Sequence, residues 1–162
     1  MQFFKYLFLL LFILPFTLNA QEGEDLSSGY HAYQKGIELY DKEKYAAAQQ
    51  KFDQALDKMD DGEQEIRANA RYYMAICAIE LYHNNAEYLL DRFISEYPEN
   101  PKVNSASFYM GEFQYRQKNY QEVLHWFHKV NKDKLTRNEL GEYYFKLGYS
   151  YYQTGNSSNA SQ

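Results

Sequence analysis

Apolar and small residues recur along most of the chain at the three- and four-residue spacing of one helix face, as in Tyr33, Gly36, Ile37 and Tyr40. The pattern comes in pairs. After a short charged turn, a second segment carries the stripe Ala48, Phe52, Ala55 and Leu56. Setting "YQKGIELYDKEKYAAAQQKFDQAL" beside "FYMGEFQYRQKNYQEVLHWFHKV" matches Gly36 with Gly111, Tyr40 with Tyr115, Tyr45 with Tyr120 and Phe52 with Phe127. Ala48 and Ala55 match Val123 and Val130, and Gly148, Tyr152 and Gly155 open a further copy in the same register. Between them, "ARYYMAICAIELYHNNAEYLLDRFISEYP" keeps the second-helix pattern at Ala86, Leu90, Phe93 and Pro98, with Met74 standing where the glycine would be. The repeat is close to 37 residues long, a period that signals stacked structural units.

Each unit is expected to be two amphipathic helices joined by a short turn. A helical glycine costs about 1 kcal/mol against alanine, so its recurrence at Gly36, Gly111 and Gly148 implies that the partner helix of the same unit approaches closely there. Helix punctuation agrees with the unit boundaries. "TRNE" at Thr136–Glu139 has the form of a capping box. "YPENPKV" stops one helix at Pro98 and restarts another, with Asn100 as cap and Pro101 in the first turn.

Composition supports buried aromatic helices, since there are 18 Tyr and 11 Phe against 3 Pro. The first 20 residues stand apart. Lys5 precedes an apolar run from Tyr6 to Leu14, and Leu18-Asn19-Ala20 forms a cleavage site before Gln21. The run is shorter than the ~20 residues of a spanning helix and Pro15 breaks it, so residues 1–20 read as a signal peptide, 21–27 as a short linker and 28–162 as the repeat domain. Removing the signal takes away Lys5 and no acid, which leaves 16 basic against 22 acidic residues, a net charge of −6. Such a chain offers no phosphate footprint, so nucleic acid and anionic membrane are not expected partners. The single Cys77 lies in an apolar helical run; it cannot form an internal disulfide and reads as a buried thiol.

The period and the Gly–Tyr–Tyr–Ala–Phe–Ala–Pro pattern resemble tetratricopeptide repeats over nearly all of residues 28–162. "FISEYPENPKVNSASFYMGEFQYRQKNYQEVLHWFHKV" is most similar to repeats of bacterial periplasmic and outer-membrane-associated scaffolds. The resemblance implies an all-α, tetratricopeptide-type helix-pair solenoid, a right-handed superhelix of about three and a half repeats, with units near 29–65, 67–102, 104–139 and an incomplete 141–162. It also implies a non-catalytic scaffold of the cell envelope, without cofactor, whose partners are envelope proteins or peptide segments.

In tetratricopeptide folds the first helices of the units line a concave groove. Carried across, the groove positions are Tyr30, Tyr33, Ile37 and Tyr40, then Ala68, Arg71, Ala75 and Ala78. Ser105, Phe108, Glu112 and Tyr115 follow, and the last unit gives Glu142, Phe145, Tyr149 and Tyr152. The expected partner-binding residues among them are Tyr30, Tyr33, Tyr40, Arg71, Phe108, Tyr115, Phe145, Tyr149 and Tyr152. The family's carboxylate clamp is not expected, because Tyr33, Ile37, Ala75, Ser105 and Tyr109 stand at its Lys, Asn and Arg positions.

The last predicted helix, "NELGEYYFKLGYSYYQTG", is as aromatic as an internal one and lacks the charged face of a cap. The expectation is therefore the N-terminal part of a longer solenoid, which would make this chain a docking module for a domain beyond residue 162. The alternative is a short adaptor that self-associates through this helix or is capped by a partner. Elsewhere the chemistry is thin. His125 and His128 sit three apart but make an incomplete metal site. Asn156 and Asn159 fit a glycosylation pattern that a loop explains as well. "DKMDDGEQE" lacks calcium-loop spacing. No phosphate loop, nucleophile elbow or paired-His motif occurs in the sequence, so no enzymatic activity is expected.

Overall fold

The computed structural model describes residues 20–60 and 62–155, with side chains from Ser28 onward. Residues 1–19 of the predicted signal segment 1–20, and the asparagines 156 and 159 with the start of the expected next helix, lie outside the described residues. Among those described, the protein is all-helical. Seven α-helices follow one another: α1 (Ala20–Asp41), α2 (Tyr45–Lys58), α3 (Gln64–Glu80), α4 (Ala86–Glu96), α5 (Val103–Arg116), α6 (Tyr120–Phe127) and α7 (Arg137–Gln153). A single 3-10 turn, Lys132–Lys134, precedes the last. Consecutive helices pack on one another from α1 to α7, and α1 also touches α3, α3 touches α5 and α5 touches α7. The first helix begins earlier than expected. It takes in residues 21–27, read above as a linker, because that stretch has no proline and mostly ordinary or good helix formers.

Two of the repeated glycines, Gly36 and Gly111, work as their spacing suggests. A Cβ at Gly36 would lie 2.6 Å from Phe52 Cε1, and one at Gly111 would fall still closer to Phe127 Cε1 and Cδ1. In both pairs the ring of the second helix rests on bare backbone of the first, and both rings are fully buried. Tyr33 and Phe108, three residues before each glycine, lie against the same rings at centroid distances of 6.0 and 5.8 Å. The middle unit has Met74 and Leu90 at the equivalent positions, and they lie in different core clusters.

A second repeated device is invisible to a search for glycine. The chain turns after α1, α3, α5 and α7 through one left-handed residue each: Glu43 (φ 57°), Tyr82 (φ 57°), Lys118 (φ 63°) and Gly155 (φ 80°). After the first three helices the hydrogen bonds are alike. Glu43 N–H donates to Tyr40 O and Lys44 N–H to Leu39 O; Lys118 N–H donates to Tyr115 O and Asn119 N–H to Gln114 O; Tyr82 N–H donates to Ile79 O and His83 N–H to Ala78 O. This is the Schellman arrangement that satisfies the last carbonyls of a helix. Only the fourth copy uses glycine, the residue that adopts this backbone without strain.

The capping box at the start of α7 is formed. Thr136 Oγ1 accepts from Glu139 N–H, and the Glu139 carboxylate accepts from Thr136 N–H at 2.8 Å. Asn100 acts differently from expectation. Its side chain accepts from Lys102 N–H at 2.9 Å, two residues on, and so shapes the turn before α5 rather than capping the helix itself.

The core forms three linked clusters. One, around Phe52 and Ala70, joins α1, α2 and α3; a second runs from Ala68 through Phe93 to Trp126; the third holds Phe108, Val123, Phe127 and Tyr143. Cys77 is buried in the first of these, and desolvation pushes its thiol up to about 12, which removes thiolate reactivity at neutral pH. Among the described residues no helix is long and apolar enough to cross a membrane.

Candidate functional site

Helices α5, α6 and α7 bring four rings together at one end of the described fold. Tyr115, near the end of α5, meets Tyr120 at 6.0 Å, Phe145 at 6.5 Å and Tyr149 at 5.8 Å between centroids. Tyr120, the first residue of α6, meets Tyr149 at 5.6 Å, and Phe145 stacks on Tyr149 at 6.4 Å. Most of these contacts are edge-to-face, the geometry that aromatic quadrupoles favour. Phe145 is 62% exposed and Tyr149 38%. Tyr152, one turn further along α7, is also exposed, so residues 145, 149 and 152 form a stripe on one side of that helix.

Charge is arranged beside the rings. Lys146 bridges α5 and α7, bonding the Glu112 carboxylate across the interface and Glu142 at 2.9 Å one turn back on its own helix. Partial burial works against the charged ammonium, but the hydrogen bonds it donates to Glu112 and Glu142 outweigh it and hold the Lys146 pKa above its ordinary value. The ammonium also lies 5.8 Å from the Tyr115 ring centre. Partial desolvation, with Tyr149 next, raises the Tyr115 hydroxyl, which therefore stays neutral at physiological pH.

Of the nine residues expected to bind a partner, Tyr115, Phe145 and Tyr149 are in this cluster, and Tyr152 borders it on the same helix. Tyr30 and Tyr33 make a separate pair at α1, 6.5 Å apart; Tyr30 is exposed, while Tyr33 leans on Phe52. Burial raises the Tyr33 hydroxyl to about 12. Tyr40 is half-buried between Tyr45 and Tyr73, at 5.7 and 5.0 Å. Arg71 reaches the α4 end instead, its Nε 3.4 Å from a Glu96 carboxylate that Arg92 also holds at 2.6 Å.

Phe108 requires correction. It is 2% exposed and stacked nearly parallel on Phe127. The absence of a side chain at Gly111 draws Phe127 onto α5, and Phe108 completes that packing, so it has no surface to offer a partner. Ala68, Ala75 and Ala78 are buried as well. Small residues on α3 leave room for larger neighbours, and Tyr40, Tyr72, Tyr109 and Phe113 share their cluster. The middle of the expected groove is therefore packed, and aromatic surface remains open at its ends.

Tyr120 was absent from the expected set. Its signal was present as the match to Tyr45, but that match assigns it to the second helix of a unit, away from the groove positions. The structure places it at the very start of α6, where the Schellman turn folds it back against Tyr115.

The two histidines do not converge. His125 packs edge-on to Trp126, and His128 Nε2 lies 2.8 Å from the Tyr151 hydroxyl. No group of three or more His, Cys, Asp or Glu side chains is placed to hold a metal among the described residues. No family model matches the chain, and neither a curated protein nor a solved structure is significantly similar to it.

Proposed function

We propose that this chain is an exported, non-catalytic scaffold of tetratricopeptide type, working in a bacterial cell envelope and holding segments of partner proteins against the aromatic surface of α5, α6 and α7. The carrying observation is the cluster of Tyr115, Tyr120, Phe145 and Tyr149, of which Phe145 and Tyr149 are exposed. Rings that stay on the surface while 25 apolar residues among those described are buried elsewhere mark an interaction site. Aromatic anchors of this kind carry most of the energy in many interfaces.

The repeat character is supported by two independent features. The glycine-on-ring contact recurs at Gly36/Phe52 and Gly111/Phe127. The left-handed turns at Glu43, Tyr82, Lys118 and Gly155 recur at intervals of 39, 36 and 37 residues. Contacts between successive odd-numbered helices support a stack of helix pairs. Export rests on the signal-like residues 1–20.

The test is random-peptide display on the purified protein, followed by binding assays on variants. Recovered peptides should lose most of their affinity for Phe145→Ala and Tyr149→Ala and keep it for Tyr88→Ala, an equally exposed ring on α4. Peptides indifferent to Phe145 and Tyr149 would overturn the proposal.

A further inference from the structure

The geometry points to a basic segment as the partner: we infer that Lys or Arg side chains of another protein lie against the exposed rings of Phe145 and Tyr149, beside Glu112 and Glu142. This rests on the binding surface proposed above and adds the chemistry of its occupant.

The chain itself shows how its rings are used. Lys129 sits 3.8 Å over Trp126, Lys102 at 5.2 and 5.0 Å over Tyr72 and Tyr73, Arg116 at 5.1 Å over Tyr82, and Lys132 at 5.6 Å over Tyr144. Exposed rings at Tyr82 and Tyr144 thus already carry a cation. Among the described residues Phe145 and Tyr149 carry none. Phe145 is 62% and Tyr149 38% exposed, and exposed aromatic rings of this kind attract ammonium and guanidinium groups.

Local charge selects in the same direction. Two carboxylates flank the cluster and share one cation, which leaves one net negative charge in the group. Lys146 is bonded to both Glu112 and Glu142, and its side chain is only 16% exposed, whereas that of Glu142 is 59% exposed. Arg116 and Lys118 are both exposed, and Arg116 is turned onto Tyr82. Across the whole chain the net charge is −5, a field that draws basic partners and repels acidic ones. An acidic or phosphorylated segment would meet Glu142 first.

The experiment is fluorescence anisotropy with three labelled peptides of equal length: an Arg-Gly-Ser repeat, the same peptide with citrulline for arginine, and a Glu-Gly-Ser repeat. Citrulline keeps the size and planar shape of arginine but replaces one amino group with a carbonyl oxygen, which removes the charge and two N–H donors. The arginine peptide should bind, the citrulline peptide about tenfold or more weakly, and the glutamate peptide not measurably. Phe145→Ala and Tyr149→Ala should each weaken the arginine peptide several-fold, and Glu142→Gln should weaken it and flatten its salt dependence. Equal binding of arginine and citrulline peptides, still lost in Phe145→Ala, would overturn the basic-partner inference and leave the aromatic surface standing. Arginine-peptide binding that survives both ring variants would remove the surface itself. Absence of binding by the arginine peptide, while display-selected neutral peptides bind, would also overturn the inference.

Discussion

Two glycines in neighbouring helices should respond in opposite ways to the same substitution. Gly111 lies in α5 and Gly141 in α7, and replacing either with alanine removes the entropic cost of a helical glycine, a gain of about 1 kcal/mol. At Gly141 nothing lies within 4 Å of the new Cβ, so that gain should appear in full. At Gly111 the Cβ would overlap the edge of Phe127. The ring has nowhere to go: it is fully buried, stacked on Phe108 at 5.8 Å and tilted against Tyr143 at 4.8 Å. Tyr143 is further tied down by its hydroxyl, which donates to Phe127 O at 3.3 Å. Overpacking of this kind costs about 1–3 kcal/mol, and the rigid setting argues for the upper end. Net destabilisation at Gly111 is then about 2 kcal/mol, and the two variants should stand about 3 kcal/mol apart. Urea unfolding followed by far-UV circular dichroism measures this directly. Gly111→Ala as stable as Gly141→Ala would refute the close-approach role of the repeated glycine.

The burial contrast between two phenylalanines at the same repeat position gives a second expectation. Phe108→Ala should cost about 3–5 kcal/mol, whereas Phe145→Ala should change stability by no more than about 0.5 kcal/mol; thermal melts of both decide it. Lys118→Gly should stabilise the protein by about 0.5–1 kcal/mol, because glycine takes the left-handed backbone without the steric cost that lysine bears; a lowered melting temperature would count against the turn geometry. Thr136→Ala should lose about 1 kcal/mol with the capping box, a loss visible in the same denaturation assay. Alkaline pH should unfold the chain. Burial, then neighbouring groups, raises the hydroxyls of Tyr33, Tyr40, Tyr72 and Tyr109 above 10. Their contribution is therefore full below the unfolded value and is lost as pH climbs through the folded ones, Tyr33 near 12. Phenolate absorbance should jump together with loss of helix, and smooth titration near pH 10 with the helices intact would contradict this.

Much of the helical framework was legible in the sequence, for reasons the packing makes plain. The spacing from Gly36 to Phe52 and from Gly111 to Phe127 survives because each pair is one contact. The Thr136–Glu139 box was readable because capping is local. Features that depend on what lies across the interface were not. Phe108 and Phe145 share a repeat position, yet one is sealed beneath Tyr143 and Phe127 and the other is open. Periodicity assigns a face to a residue; it does not say whether a neighbouring helix covers that face. Ala75 and Ala78 fell into the same gap, since small residues invite the rings that bury them. The turns at Glu43, Tyr82 and Lys118 escaped notice because a Schellman turn without glycine has no residue signature of its own. Tyr120 joined the site through such a turn.

The most direct measurement of the binding surface is an aromatic carbon–proton NMR titration. The protein would carry labelled Tyr and Phe, and the ligand would be a peptide selected by display. The expected result is shift changes at Tyr115, Tyr120, Phe145 and Tyr149, with the packed rings of Tyr72 and Phe108 unmoved. Shifts confined to Tyr30 or Tyr88, with the α7 rings silent, would contradict the proposal that α5, α6 and α7 hold the partner.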